Sequence, residues 1–106
     1  MPTYKMNSER KVYCIDYDHV LTADEPGVYS DNPEPEYNMV KAVNRLFFAG
    51  NIIIIWTNRQ WGDASFLASW LTKHKVPYHG IKMEKGGADI YVDDRMVAVQ
   101  EILKEV

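Results

Sequence analysis

The stretch VYCIDYDHVLT, residues 12–22, contains the pattern on which the fold and the candidate site depend. It begins with four apolar residues and continues with two acids, Asp16 and Asp18, that are separated by one residue. A short apolar run without alternation is typical of a strand that is buried on both faces of a parallel sheet. Because ligands of open α/β sheets bind outside the carboxyl ends of the strands, the stretch predicts a buried strand that ends in two carboxylates at a ligand site.

Three more apolar runs, residues 51–56, 76–81 and 89–92, are separated by segments with helical periodicity. The first helix is predicted over residues 39–47, with its aromatic pair Phe47–Phe48 in the core and Gly50 just past its end. The second carries an apolar stripe from Phe66 to Leu71, and a last short helix covers residues 97–103. This alternation predicts one domain, residues 1–106, with an α/β fold and a mainly parallel sheet of about four strands.

Composition narrows the classes of function. Of the 106 residues, 46% are apolar, which argues against a disordered chain, and the net charge of −3 with no basic run argues against sequence-independent nucleic-acid binding. The longest fully apolar run, residues 52–56, is too short to span a bilayer. The single cysteine, Cys14, lies in a predicted buried strand and should be inert. We therefore expect a cytoplasmic protein with no membrane partner.

Polar side chains follow the ends of three predicted strands. They are Asp16 and Asp18 after the first strand, Thr57 and Asn58 after the second, and Asp93 and Asp94 after the last, with Lys85 in the turn before it. Two carboxylates about 4 Å apart repel by roughly 4 kcal/mol at an effective dielectric constant near 20, so four acids at one edge require a cation. Ligands that are all oxygen favour Mg²⁺, which commonly joins carboxylates to a phosphate. The pattern predicts a phosphorylated substrate.

These four motifs, in this order, resemble those of the haloacid dehalogenase superfamily. The matching segments are VYCIDYDHVLT at 12–22, IIIIWTN at 52–58, Lys85, and IYVDDR at 90–95. WLTKHKVPYHGI at 70–81 and the later ADIYVDDR also look similar to small bacterial and phage members, including ones linked to capsule polysaccharide synthesis. The resemblance implies a three-layer Rossmann-like core. No insertion is long enough for a cap domain, so we expect a capless member whose site stays open or is closed by self-association.

The resemblance also implies a role for each matching residue. Asp16 would be the nucleophile that forms an aspartyl-phosphate, and Asp18 the general acid and base. Thr57, Asn58 and Lys85 would bind the phosphoryl oxygens. Mg²⁺ would be held by the Asp16 carboxylate, the backbone carbonyl of Asp18, Asp93 and Asp94. The expected substrate is a sugar phosphate or a nucleotide rather than a nucleic acid.

Several alternatives remain open at this point. His19 stands where the family usually has glycine, at a turn that benefits from positive φ, although histidine tolerates that conformation better than most residues. Lys73, Lys75 and Lys82 compete with Lys85, and Arg59 and Tyr17 could equally be packing residues. Besides a phosphatase, the sequence allows a weak or inactive phosphate-binding module, or a phosphoaspartate signalling domain. Signalling receivers, however, carry their acidic pair on the first strand and their acceptor aspartate on the third.

Overall fold

A parallel sheet of three strands organises the chain in a computed structural model, which describes residues 9–84, 86, 90, 92 and 94–105. The elements in chain order are β1 Val12–Asp16, α1 Tyr37–Phe48, β2 Ile52–Trp56, α2 Ala64–Lys73, β3 Gly80–Lys82 and α3 Val99–Glu105. A wide turn, Tyr17–Leu21, follows β1, and a short 3-10 helix, Trp61–Asp63, precedes α2. The predicted α/β class and the parallel sheet are confirmed.

The strands lie in the order β1-β2-β3, with β2 in the centre and both neighbours parallel to it. Val12 pairs with Ile52 and Asp16 with Trp56, so β1 and β2 end level with each other. Parallel neighbouring strands need crossover connections, which α1 and α2 provide. Because such crossovers are right-handed and the strands follow one another in this order, both helices lie on the same face of the sheet. The expected third layer stays a prediction.

The helix-facing side of the sheet is the core. Ile15, Ile53 and Ile55 are buried there, with Tyr13 partly buried beside them. On the opposite side Val12 is 62% exposed and Cys14 is also exposed, so the expectation that β1 and its cysteine are buried on both faces is wrong for the described residues. That the Cys14 thiol is inert stays a prediction. An apolar run indicates that a strand can be buried on both faces. Whether a second layer covers the second face depends on other parts of the chain.

Helix α1 has well-defined ends. The Glu36 side chain accepts a hydrogen bond from the Asn38 backbone N–H at 3.0 Å, which satisfies one of the free donors of the first turn. At the other end Gly50 has φ of 97°, as its predicted place past the helix requires. Phe48 is 51% exposed, however, because it lies beside Phe47 on the solvent side of the last turn, so only Phe47 packs on the core.

The third and fourth predicted strands differ from the structure. Strand β3 begins only at Gly80, because Lys75 turns with φ of 58° and the Val76 N–H bonds to the Leu71 carbonyl at the end of α2. Of the predicted fourth strand, residues 89 and 91 lie outside the described residues. Ile90 and Val92 are outside any strand and are 78% and 93% exposed, so a buried strand is wrong for these two residues. The apolar run in the sequence, residues 90–92, has only three members and is flanked by charged residues, so its burial would gain little free energy.

Among the residues that the structure describes, no helix combines the length and the apolar character that crossing a membrane requires.

The assignment of sheet faces can be tested with two neighbouring isoleucines of β2. Ile53 is fully buried against the helices, whereas Ile52 lies on the partly covered side. We expect Ile53→Ala to lower the free energy of unfolding by about 2–5 kcal/mol, because it leaves a cavity in the core. Ile52→Ala should cost clearly less. Urea denaturation of both variants measures the difference, and equal losses would contradict the assignment.

Candidate functional site

The wide turn after β1 brings the second acid of the first motif into the protein. Asp18 is only 8% exposed, and the turn is closed by a hydrogen bond from the Thr22 N–H to the Tyr17 carbonyl at 3.2 Å. His19 takes the left-handed conformation, with φ of 65°, and its backbone N–H donates to the Thr22 hydroxyl at 2.9 Å. The expectation that this turn accommodates histidine in place of glycine is confirmed.

The Asp18 side chain accepts hydrogen bonds from two residues that follow β2. The Thr57 hydroxyl, fully buried, donates to Oδ2 of Asp18 at 3.2 Å. Arg59 donates to the same carboxylate from Nε, at 3.2 Å to each oxygen, and from Nη2, at 2.9 Å to Oδ1. The side chains of this ion pair are only 14% and 10% exposed. The hydrogen bonds to Asp18 raise the pKa of Arg59, so the guanidinium is charged at any physiological pH.

The guanidinium of Arg59 has two further contacts. It lies over the ring of Tyr17, with its central carbon 5.4 Å from the ring centroid, and Nη2 donates to the Ser30 carbonyl at 3.2 Å. A cation over an aromatic face is attracted by the ring quadrupole. The guanidinium is therefore held in its plane by a carboxylate and across its face by an aromatic ring.

The segment of residues 22–36 folds back against this site. Thr22 and Pro35 form an antiparallel bridge, and the Pro33 carbonyl accepts a hydrogen bond from Nε1 of Trp70 at 2.8 Å. Inside the segment, Asp24 accepts hydrogen bonds from the backbone and the hydroxyl of Ser30. The His19 ring is 2.8 Å from the Val28 carbonyl, so its imidazole contacts this segment and not Asp18. These contacts hold the segment over the edge of the sheet.

The Tyr17 side chain lies directly beneath the Arg59 guanidinium. It is fully buried, and its ring meets Trp70 edge-on with centroids 5.1 Å apart. Its hydroxyl has no hydrogen-bond partner among the described residues, and burial raises its pKa strongly. The phenol is neutral, so its contribution to the site comes from the ring and not from a charge.

The structure locates five of the seven predicted site residues. Asp16 lies half-buried at the end of β1, level with Trp56, while Thr57 and Asn58 follow β2 directly. Asn58 lines an open groove of about 330 Å³ together with Gln60, Glu84 and Gly86. Asp94 lies in an exposed turn. Lys85 and Asp93 are outside the described residues, so the structure brings together the first and second motifs and leaves the third and fourth as predictions.

The residues that the sequence predicts as metal ligands would offer only oxygen atoms. No group of three or more His, Cys, Asp or Glu side chains is close enough to bind a metal ion within the described ranges, which do not include Asp93. The Asp18 carboxylate is hydrogen-bonded by Arg59 and Thr57, which is compatible with the prediction that its backbone carbonyl, and not its side chain, would be a metal ligand. Carboxylate and carbonyl oxygens fit Mg²⁺ better than zinc or copper.

Sequence reasoning left Arg59 and Tyr17 undecided between packing and a role in the site. Arg59 is two residues past Thr57, at the end of a strand that is predicted to lie beside Asp16 and Asp18. A cation at that place was the signal that could have indicated an ion pair with one of these acids. Which acid it would meet depends on the turn after β1, and that turn is visible only in the structure. For Tyr17 the sequence carried no such signal.

Comparison with known proteins supports the fold. A crystal structure of a protein from Vibrio cholerae is similar to this chain with a TM-score of 0.74 and 28% sequence identity, over 88% of this chain and 87% of that one. No family model matches the chain. No curated protein matches it either.

A double-mutant cycle tests the ion pair. Asp18→Asn or Arg59→Gln alone leaves the other charge buried without its partner, so we expect each to lower the free energy of unfolding by about 3 kcal/mol. The double variant should lose less than the sum, with a coupling energy of about 1–3 kcal/mol. Arg10→Gln, at an exposed position, is the control. Additive losses in urea denaturation would show that the two side chains do not interact.

Tyr17→Phe tests the unpartnered phenol. The variant keeps the ring under Arg59 and removes a buried hydroxyl without a described partner, so we expect the free energy of unfolding to stay constant or rise by about 1 kcal/mol. Tyr13→Phe, at a partly buried position in β1, is the matched control. A loss of more than about 1 kcal/mol for Tyr17→Phe would mean that its hydroxyl has a hydrogen-bond partner after all.

Proposed function

We propose that this protein is a Mg²⁺-dependent phosphomonoester hydrolase that forms an aspartyl-phosphate on Asp16. The observation that supports the proposal is the contact between the first two motifs, where the Asp18 carboxylate and the Thr57 hydroxyl lie 3.2 Å apart at the carboxyl ends of two adjacent parallel strands. Ligand sites of open α/β sheets occur at this edge.

Asp16 and Asp18 differ in their surroundings in a way that suits two different roles. Asp16 is half-buried at the end of β1, on the edge where a phosphate would approach. Asp18 lies deeper, hydrogen-bonded by Thr57 and Arg59. In the proposed first step an oxygen of Asp16 attacks phosphorus, and the bond from phosphorus to the ester oxygen breaks while Asp18 protonates that oxygen.

The second step regenerates the enzyme. A water oxygen attacks phosphorus, the bond from phosphorus to Asp16 breaks, and the proton of the water passes to Asp18. Inorganic phosphate leaves, and Asp18 carries the proton that the next leaving group needs. Phosphoryl transfer depends chiefly on positioning and on stabilising the charge of the transferred group, so the side chains around the phosphate matter as much as the nucleophile.

The groove beside β2 is the proposed place for the phosphate and its ester group. Asn58 lines it, and Lys85 lies in the sequence between two other lining residues, Glu84 and Gly86. Thr57 would join Asn58 and Lys85 in binding phosphoryl oxygens. The net charge of −3 and the absence of a basic run in the sequence favour a sugar phosphate or a nucleotide over a nucleic acid.

In the proposed enzyme the Asp16 carboxylate, the Asp18 carbonyl, Asp93 and Asp94 would hold Mg²⁺. The ion would neutralise the acids at this edge and withdraw charge from the phosphoryl oxygens.

The proposal is tested by phosphate release from an aryl phosphate, with Mg²⁺ and with excess chelator. We expect turnover that needs Mg²⁺, reduction to the reagent blank in Asp16→Asn, and a loss of about 10²–10⁴-fold in Asp18→Asn, since a general acid contributes about that much. Glu101→Gln, an exposed acid on α3, should retain wild-type activity. Equal activity of the wild type and Asp16→Asn would overturn the assignment of the nucleophile.

A second candidate function is a module that binds phosphate esters without turnover. One observation favours it, because Asp18 and Thr57 are already hydrogen-bonded to each other and to Arg59 instead of facing an open cavity. Calorimetry with a phosphate ester and Mg²⁺ separates the two functions. Binding heat without release of inorganic phosphate would favour the module.

A further inference from the structure

Tyr29 presents an exposed aromatic ring beside the candidate site, in the segment of residues 22–36. Its side chain is 62% exposed, and its ring meets the His19 ring edge-on, with centroids 4.8 Å apart. His19 directly follows Asp18, so the Tyr29 ring lies next to the turn that carries the proposed general acid. Most of the side chain is open to solvent, so packing among the described residues uses only a small part of it.

The backbone on both sides of Tyr29 is bonded to side chains of the site. The Val28 carbonyl is 2.8 Å from Nε2 of His19, which is the donor because a carbonyl only accepts. The Ser30 carbonyl accepts a hydrogen bond at 3.2 Å from Nη2 of Arg59, the ion-pair partner of the proposed general acid. The residues before and after Tyr29 are thus each attached to one of the first two motifs.

The tip of the segment is also braced from within. Asp24 accepts hydrogen bonds from the backbone N–H and the hydroxyl of Ser30, at 3.0 and 3.1 Å. The Val28 N–H donates to the Glu25 carbonyl at 3.0 Å, across a turn in which Gly27 has φ of 84°. An aromatic ring on a backbone that is already fixed loses little conformational entropy when it binds a ligand.

The charge of the segment restricts which group can meet this ring. Residues 22–36 contain no Lys or Arg and five acids, which are Asp24, Glu25, Asp31, Glu34 and Glu36. Repulsion between exposed like charges extends over about a Debye length, which is about 8 Å at physiological ionic strength. A second phosphate on the ester group of a substrate would be repelled here, whereas an uncharged ring would not.

We propose that Tyr29 is a specificity-determining residue whose ring binds the ester group of the substrate, and that this group carries an uncharged ring. The inference rests on the proposed function and deepens it. Among phosphate esters, Tyr29 selects those of ring-bearing alcohols, such as sugars or nucleosides, over esters of open-chain alcohols and over bisphosphates. The contact is one of ring faces and requires no titration and no covalent step.

Two phosphonates that cannot be hydrolysed test this inference without depending on turnover. Phenylphosphonate and methylphosphonate share the head group that a phosphate site binds and differ in the ring. In calorimetry with Mg²⁺ we expect the wild type to bind phenylphosphonate with a Kd about 10-fold lower, which is the size of an aromatic contact. Tyr29→Ala should raise the Kd for phenylphosphonate about 10-fold and leave that for methylphosphonate within about two-fold.

Three variants and one further ligand complete the experiment. Tyr29→Phe keeps the ring and should bind both phosphonates as the wild type does. Tyr37→Ala, at the first residue of α1, changes a tyrosine that is 65% exposed and is the matched control. If Tyr29→Ala does not fold, as judged by circular dichroism, Tyr29→Leu decides the question, because it keeps an apolar side chain without a flat ring. 1,4-Phenylenediphosphonate, which carries a second anionic group, should bind the wild type more weakly than phenylphosphonate.

The outcomes separate the inference from the function on which it rests. Equal Kd values of the two phosphonates in the wild type would overturn the inference, as would an unchanged Kd for phenylphosphonate in Tyr29→Ala. Equal weakening of both in Tyr29→Ala would mean that Tyr29 only holds the segment in place, which also overturns it. Tighter binding of the diphosphonate would contradict the selection of an uncharged group. If neither phosphonate binds the wild type, the proposed function fails first, and the inference fails with it.

Discussion

The site depends on the hydrogen bonds that the Asp18 carboxylate accepts from the Thr57 hydroxyl and from two nitrogens of Arg59. They join two segments that are about 40 residues apart in the chain, and they form because β1 and β2 are parallel and end level with each other. A shift of register by one residue would turn every side chain of a strand to the other face and separate the two motifs. The core residues Ile15, Ile53 and Ile55 hold that register by packing against the helices.

The same contact decides how the two acids of the first motif differ. They are separated by a single residue, but the wide turn sends Asp18 inward and leaves Asp16 half-buried at the end of the strand. His19 makes this possible by adopting a positive φ, and its ring then contacts the carbonyl of Val28 in the segment above the site. His19 thus connects the turn to the segment that covers it. The division of roles between nucleophile and acid–base follows from this geometry in the proposed reaction.

The bounds of helices and strands depended on local sequence pattern, whereas the burial of their residues depended on the elements that pack around them. The apolar runs located β1 and β2 closely, and Gly50 marked the end of α1, because periodicity and positive φ are local properties. Burial was less predictable. Cys14 is exposed because the burial of its face of β1 requires a second layer that local sequence does not specify, and Phe48 is exposed because it lies on the solvent side of the last turn of α1. Strand β3 began late for a related reason, because the end of α2 used the backbone groups of residues 75 and 76.

By itself the sequence determined the α/β class, the parallel strands and the place of Asp16, Asp18, Thr57 and Asn58 at strand ends, because period and order along the chain carry that information. Only the tertiary structure decided that Asp18 turns inward, that Arg59 is its partner and that Tyr17 is the surface under the guanidinium. The reason is physical: the direction of a side chain after a strand end depends on a few backbone dihedral angles, and the partner it meets comes from a different part of the chain.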